Sequence, residues 1–510
     1  MARRGRIAAL MSAGGLTLAA AGARAETLAD ALALAYQSNP TLQNERAQLR
    51  ALDETYVQAR SGYRPQVSAS AEADFVQGPS TRNNFGSGMP VPSWPDAASL
   101  TVSQSLFTGG QTSAEVRATM ADILSGRQKL RQTEAAVLQS VVQAYVDVRR
   151  DVDTLAIAQD NVAVLRKQLE ETRARFDVGQ ITRTDVAQAE ARLAGAQAQL
   201  STAQAQLGVT RAGYLAVVGQ NPEALAPEPP LAGLPATIDE AFAVAEKNNP
   251  GVVGADYAEQ AAAARVALAK AGYRPTVSLR ASYGFDGYLG GQPNVFPAQA
   301  SGAYTQSISA AAVVTQPLFT GGLNSSRVRE ALETDNAQRI AVESARRQAV
   351  QAVSQAWNQL LAARANVVST QEQVRANEIA YEGSKQEAEV GLRTTLDVLN
   401  AEQELQASRL ALTNARHDQY VAGASVLNAM GLLEARYLTP GLPLYDPQRS
   451  FKHVKGAGAV PWEGVVAGMD SLGGAAIKRR PADASETLPP PPSVAPVPPA
   501  QASGRVVPSP

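Results

Sequence analysis

Two patterns of apolar and polar positions run along this chain, and each occurs twice. The first has period two. Val67, Ala69, Ala71, Ala73 and Phe75 alternate with Ser68, Ser70, Glu72 and Asp74. Val277, Leu279, Ala281, Tyr283 and Phe285 alternate with Ser278, Arg280 and Ser282. Such alternation predicts strands with one apolar and one polar face. Return strands are expected near Leu100–Phe107 and Ile308–Phe319, so strands at about 66–75 and 100–107 form one pair and strands at about 276–285 and 307–319 the other. Gly/Pro/Asn/Ser-rich stretches, about 76–99 and 286–306, read as the loops within each pair.

The second pattern has period seven. Val141, Val148, Leu155, Val162, Leu169 and Phe176 form one series, and Val353, Leu360, Val367, Val374, Tyr381 and Ala388 the other. A sustained heptad predicts helices packed as coiled coils. No proline interrupts Gln111 to Phe176, so that helix can reach about 100 Å. Turns near Gly179–Thr184 and Gly391–Thr395 reverse the chain. The long helical hairpins are therefore placed at 110–217 and 322–430.

Both patterns belong to one duplicated unit. Residues 27–75 align without a gap on 237–285, with roughly a third of the positions identical. Gly62-Tyr63-Arg64-Pro65 returns as Gly272-Tyr273-Arg274-Pro275, and Leu106-Phe107-Thr108-Gly109-Gly110 as Leu318-Phe319-Thr320-Gly321-Gly322. The first repeat spans 26–221, a linker 222–236, and the second repeat 237–438. Thr27 and Thr237 are placed to cap the opening helices, which Asn39-Pro40 and Asn249-Pro250 break or restart.

The aromatic residues suggest what the strands face. Phe75 and Phe285 lie near one end of the pairs, Phe107 and Phe319 near the other, as aromatic girdles flank a membrane barrel. Strands of about ten residues also suit a bilayer. Four strands cannot close such a barrel, whose smallest form has about eight, and lipid does not tolerate open sheet edges. Several copies of the chain would have to share one barrel.

Composition narrows the rest. Arg3, Arg4 and Arg6, the apolar run after them, and Ala23-Arg24-Ala25 read as a secretory signal, residues 1–25, with cleavage set by Ala23 and Ala25. Residues 439–510 are rich in Gly and Pro and read as a disordered tail. Forty-six basic and forty-seven acidic side chains give no basic footprint for nucleic acid. There is no cysteine and there are two histidines, so thiolate chemistry is excluded and a histidine-rich metal site is not expected. No P-loop, H-E-x-x-H or G-x-S-x-G occurs, which argues against an enzyme. His417, among Arg416, Asp418 and Gln419, reads as a surface residue.

This plan resembles the TolC family of outer-membrane efflux and secretion proteins. The likeness is carried most closely by the two turns, Val178-Gly179-Gln180-Ile181-Thr182-Arg183-Thr184-Asp185-Val186 and Val390-Gly391-Leu392-Arg393-Thr394-Thr395-Leu396-Asp397-Val398-Leu399. It covers about residues 26–438. The resemblance implies a mainly α fold with membrane β-strands, in which a homotrimer builds a 12-stranded β-barrel in outer-membrane lipid. A coiled-coil α-helical tunnel would continue it into the periplasm. It implies a periplasmic adaptor contacting the hairpin turns at Val178, Gly179, Val390 and Gly391. It further implies an inner-membrane ABC or proton-driven pump, and no cofactor.

By the same resemblance, Thr184, Asp185, Arg393 and Asp397 match positions of the family's gate and selectivity ring. Asn400 stands where the family carries a second ring aspartate, and Ala388 where it carries a gate tyrosine. Three copies of Asp397 at a constriction would favour cations. Arg393 could pin a neighbouring coil through Thr184 or Asp185. An aspartate at a helix start also serves simply as a cap. The absence of a lipid-anchor cysteine resembles the type I secretion branch, so a secreted protein is the first cargo implied and small-molecule efflux the second. A periplasm-spanning coiled-coil tether or adhesin is the rival of another class.

Overall fold

A computed structural model describes residues 25–79, 90–288, 304–439 and 441–472. The expected signal peptide, Ala23 included and Ala25 excepted, lies outside them, as do residues 473–510. Each repeat opens with two helices: α1 (Leu28–Ser38) and α2 (Pro40–Arg60), then α5 (Ile238–Asn248) and α6 (Pro250–Ala271). Thr27 and Thr237 cap α1 and α5 by accepting from the amides of Asp30 and Glu240. Pro40 and Pro250 sit in the first turn of α2 and α6, where a missing N–H costs nothing.

The strands are β1 (Gln66–Ala73), the short β2 (Val76–Pro79) and β3 (Pro90–Ser93), β4 (Pro95–Phe107), β5 (Thr276–Tyr288) and β6 (Thr305–Thr315). Four of them form an antiparallel sheet in the order β1-β4-β5-β6. The β2–β3 pair extends the first strand pair into a stretch expected to be loop. Register puts Val67, Ala69 and Ala71 opposite Val102, Leu100 and Ala98. Those three in turn face Ala281, Tyr283 and Phe285, and beyond them lie Ala310, Ile308 and Gln306. Directly paired residues share a face, so one face is apolar across the middle of all four strands, with Asp96, Gln104 and Gln306 as its polar members toward the ends. The other carries Ser68, Ser70, Ser99, Thr101, Ser278, Arg280, Ser282, Ser307 and Ser309. Hydroxyl pairs Ser70–Ser99 (2.9 Å) and Ser282–Ser309 (2.7 Å) cross it.

Two expectations about the strands change. β6 ends at Thr315, so Phe319 lies beyond it, 90% exposed, and Phe75 falls just past β1, where its ring meets Trp94. A bulge between Ser105 and Phe107 sets Phe107 opposite Val277, which moves it to the apolar face.

The long helices are α3 (Gln111–Asp177) and α7 (Leu323–Glu389), each of 67 residues. They return as α4 (Arg183–Val218) and α8 (Thr395–Ala429). Val141, Val148, Val162, Leu169, Val353 and Leu360 are buried, as the heptad requires, while Phe176 near the turn is 40% exposed. The largest cluster of buried side chains, Leu32, Leu138, Val141, Tyr145, Tyr214 and Leu427 among them, joins α1, α3, α4 and α8. Among the described residues no helix is long and apolar enough to cross a membrane.

The expectation of a disordered tail fails for residues 441–472. After α9 (Ala435–Leu438) come α10 (Pro447–Val454) and α11 (Glu463–Leu472), both docked on the first repeat. Phe451 meets Tyr56 edge-on at 5.0 Å. Glu463 pairs with Arg60 at 2.7 Å and Arg64 at 3.1 Å. Those partners lie far away in sequence, so local composition held no trace of them.

Candidate gate at the hairpin turns

The two turns are built alike. α3 ends with Gly179 in the left-handed region (φ 75°), its N–H donating to the Phe176 carbonyl and that of Gln180 to Arg175. α7 ends with Gly391 (φ 80°), its N–H donating to Ala388 and that of Leu392 to Glu387. Both are Schellman closures, which satisfy the last carbonyls of a helix and favour glycine where φ is positive. The apolar tips stay uncovered: Val178 is 70% exposed, Val390 72% and Leu392 78%.

Both returning helices then start on a capping box. The Asp185 carboxylate accepts from the Thr182 amide (2.9 Å) and hydroxyl (2.8 Å). That of Asp397 accepts from the Thr394 amide (3.1 Å) and hydroxyl (2.7 Å). The Asp185 and Asp397 amides donate back to the Thr182 and Thr394 hydroxyls at 3.4 and 3.2 Å, so two amides at the start of each helix are partnered and a negative charge sits where the helix dipole favours it. The Thr394 hydroxyl and amide, with the Arg393 guanidinium beside them, hold the Asp397 carboxyl below the usual carboxylate range.

Within one chain the candidate residues are not all brought together. Thr184 is exposed in the first turn of α4. Arg393 bonds Glu387 of its own hairpin at 2.8 Å rather than Thr184 or Asp185, and both side chains are about half exposed. Ala388 offers the turn only its carbonyl. Asn400 accepts from Arg192 on α4 at 3.1 Å, and the same guanidinium reaches Gln403. Just behind Asp397, Val398 and Leu399 are buried, and Leu399 packs with Val162, Leu165 and Ala196 of the first hairpin. The ring candidate thus sits at the seam between the two hairpins.

Arg192 is the residue sequence reading missed. Its counterpart in the second repeat is Glu404, and such a charge reversal between otherwise matched repeats was the available signal. His417 is a correction. Its side chain is 10% exposed, bonded through Nε2 to Asp147 of α3 and through Nδ1 to Asp418, each at 2.9 Å. Burial pulls its pKa down, but the hydrogen bonds that the ring donates to these two carboxylates prevail and raise it above its ordinary value. Among the described residues no group of three or more His, Asp or Glu side chains could hold a metal ion.

The model of the outer membrane efflux protein family matches residues 31–220 and 242–432, one match per repeat. The chain is 35% identical over 449 residues to outer membrane efflux protein BepC of Brucella suis biovar 1, covering 88% of this chain and 95% of that protein. It is 26% identical over 431 residues to outer membrane protein TolC of Escherichia coli, covering 81% and 84%. Its fold is similar to that of the outer membrane protein VceC of Vibrio cholerae, with a TM-score of 0.66 and 21% identity over 79% of this chain and 96% of that one. The chain is an outer-membrane protein and belongs to the outer membrane efflux protein family.

Proposed function

We propose that three copies of the chain form an export duct, in which each sheet supplies four strands to a 12-stranded barrel and each pair of hairpins a third of a periplasmic tunnel. The observation that carries this reading is the two-faced sheet. Its apolar face suits lipid, its hydroxyl-lined face suits a water-filled lumen, and β1 and β6 each have one unpaired edge among the described residues. The exposed turn tips at Val178, Gly179, Val390 and Gly391 offer an apolar landing site for a periplasmic adaptor, which would link the duct to an ABC or proton-driven pump in the inner membrane.

The gate lies one turn further in. Three Asp397 carboxylates form a cation-favouring ring. Arg393, held by a solvent-exposed ion pair of little strength, is free to exchange Glu387 for Thr184 or Asp185 of a neighbouring copy. Small compounds are the first cargo, since both the family and BepC are named for efflux. Protein secretion through a type I system is the second reading. Loss of a large secreted protein from the medium of a deletion strain would decide for secretion, and a new drug sensitivity with an unchanged medium for efflux.

Purified protein in a planar bilayer tests the conduit itself. Trimers with steady, cation-selective conductance are expected. Monomers, or trimers that carry no current, would leave the coiled-coil tether as the better reading.

A further inference from the structure

We infer that α11 is an interfacial membrane anchor, lying in the lipid headgroup region around the periplasmic rim of the sheet. The inference rests on the reading that the apolar face of the sheet meets lipid.

The helix is amphipathic in an unusual sense, because its charges point inward. Glu463, Val466 and Asp470 are buried against the first repeat. Glu463 is neutralised by Arg60 and Arg64. Asp470 accepts from the Thr108 amide and hydroxyl, both at 2.8 Å, from the Gly110 amide at 3.1 Å and from the Ser113 amide at 3.0 Å. These bonds fix α11 at the start of α3, where strand gives way to helix. The outward surface carries no charge. Trp462, Val465, Met469 and Leu472 are 49%, 66%, 44% and 88% exposed and recur at the spacing of one helix face, with Gly464 and Gly468 between them. A helix packed on a protein toward water keeps its charged residues on that outer side.

The register of the sheet says which side α11 occupies. The Trp462 indole N–H donates to the Gln104 side chain at 3.4 Å. Gln104 is opposite Leu279 and follows Ala98, Leu100 and Val102 at two-residue intervals, so it lies on the apolar face. α11 is therefore outside the lumen, one residue pair beyond the lipid-facing band. Its main contacts are with β4, which lies between β1 and β5, with α3 and with the turn at Ser61–Tyr63, rather than with the length of the β1 or β6 edge where another copy would pair. That favours lipid over a second copy as the cover. A tryptophan beside short apolar side chains at the end of a membrane strand is the composition of an interfacial belt.

The chain's three tryptophans make the test direct. Trp94→Phe with Trp357→Phe leaves Trp462 as the only tryptophan, which is excited selectively at wavelengths where tyrosine does not absorb. A control carries Leu100→Trp with all three native tryptophans replaced by Phe. Both are reconstituted in phosphatidylethanolamine–phosphatidylglycerol vesicles whose acyl chains are brominated near the carboxyl end, and only preparations that conduct are compared. The expected result is a loss of Trp462 emission comparable to that of the control. If the control is quenched and Trp462 is not, the anchor is overturned while the duct reading stands. Quenching of that Trp462 by aqueous iodide would then mean a water-facing helix, and no quenching a second copy as cover. If the control itself escapes brominated lipid, the membrane reading of the sheet fails and the anchor with it.

Discussion

The Asn39 side-chain amide donates to the Val217 carbonyl at 3.0 Å, and Asn249 makes the same bond to the Ala429 carbonyl at 2.9 Å. Each asparagine also accepts, through Oδ1, from the first amides of the following helix: Thr41 and Leu42 in one case, Gly251 and Val252 in the other. One side chain thus caps the end of α4 and the start of α2 at once, and its twin joins α8 to α6. Asn39→Ala is expected to cost about 1–2 kcal/mol through the lost cap and the orphaned groups. Asn39→Asp keeps the cap but turns a donor into an acceptor facing Val217, so it should destabilise as well. Melting of both variants in detergent checks this, and an Asp variant as stable as the parent would show that the Val217 bond contributes nothing.

Asp470 bridges parts of the chain more than 350 residues apart. Its removal leaves the amides of Thr108, Gly110 and Ser113 without their carboxylate partner. Asp470→Ala should cost about 1–3 kcal/mol, the range for a buried donor left unsatisfied. Protease cleavage within 441–472 is the local readout and should accelerate in the variant. Equal cleavage rates would mean that α10 alone holds the segment.

At the gate, Arg393→Ser should raise conductance if the guanidinium pins neighbouring coils, and single-channel recording checks it. Asn400→Asp should strengthen block by divalent cations by adding a second carboxylate ring. The Asp397 carboxyl titrates below its ordinary value, so its capping stabilisation is present above that value and is lost as pH falls through the lowered one. Cation selectivity should therefore survive mild acid, which reversal potentials at stepped pH would show.

His417 adds a pH dependence of opposite sign. Its pKa in the folded chain is raised, so the protonated link to Asp147 and Asp418 stabilises fully below the ordinary value of 6.5. That contribution fades as pH rises through the folded value. Arg150, paired with Asp147 and Asp151, is the neighbouring cation that moderates it. His417→Gln should flatten the fall in melting temperature across neutral pH. An unchanged slope would assign the effect to other groups.

Much of this fold was legible because its signals are local and repeat. The proline-free run from Gln111 to Phe176 located α3, and the alternation from Val67 to Phe75 located β1, within a residue or two. The bulge at Leu106 was invisible, since nothing in Ser105-Leu106-Phe107 says which residue the ladder skips. Asp397 at a helix start read as a cap as well as a ring, and within one chain the capping box with Thr394 is what is built. The docking of α10 and α11 and the burial of His417 depend on partners distant in sequence, such as Tyr56, Arg64 and Asp147, which no local window contains.

The strand order sets a timetable for folding. β1 with β4, and β5 with β6, can each close as a local hairpin. The β4–β5 seam is different: Ser99 meets Gly284 only after the first hairpin of helices, the linker, α5 and α6 have been made and folded back. Long loops must close before such contacts yield anything, which makes them slow. During that wait two greasy ribbons stand uncovered in water, inviting the wrong strand to add to them. Whatever delays the β4–β5 seam therefore lengthens the time in which the open edge of each hairpin can accept a wrong strand.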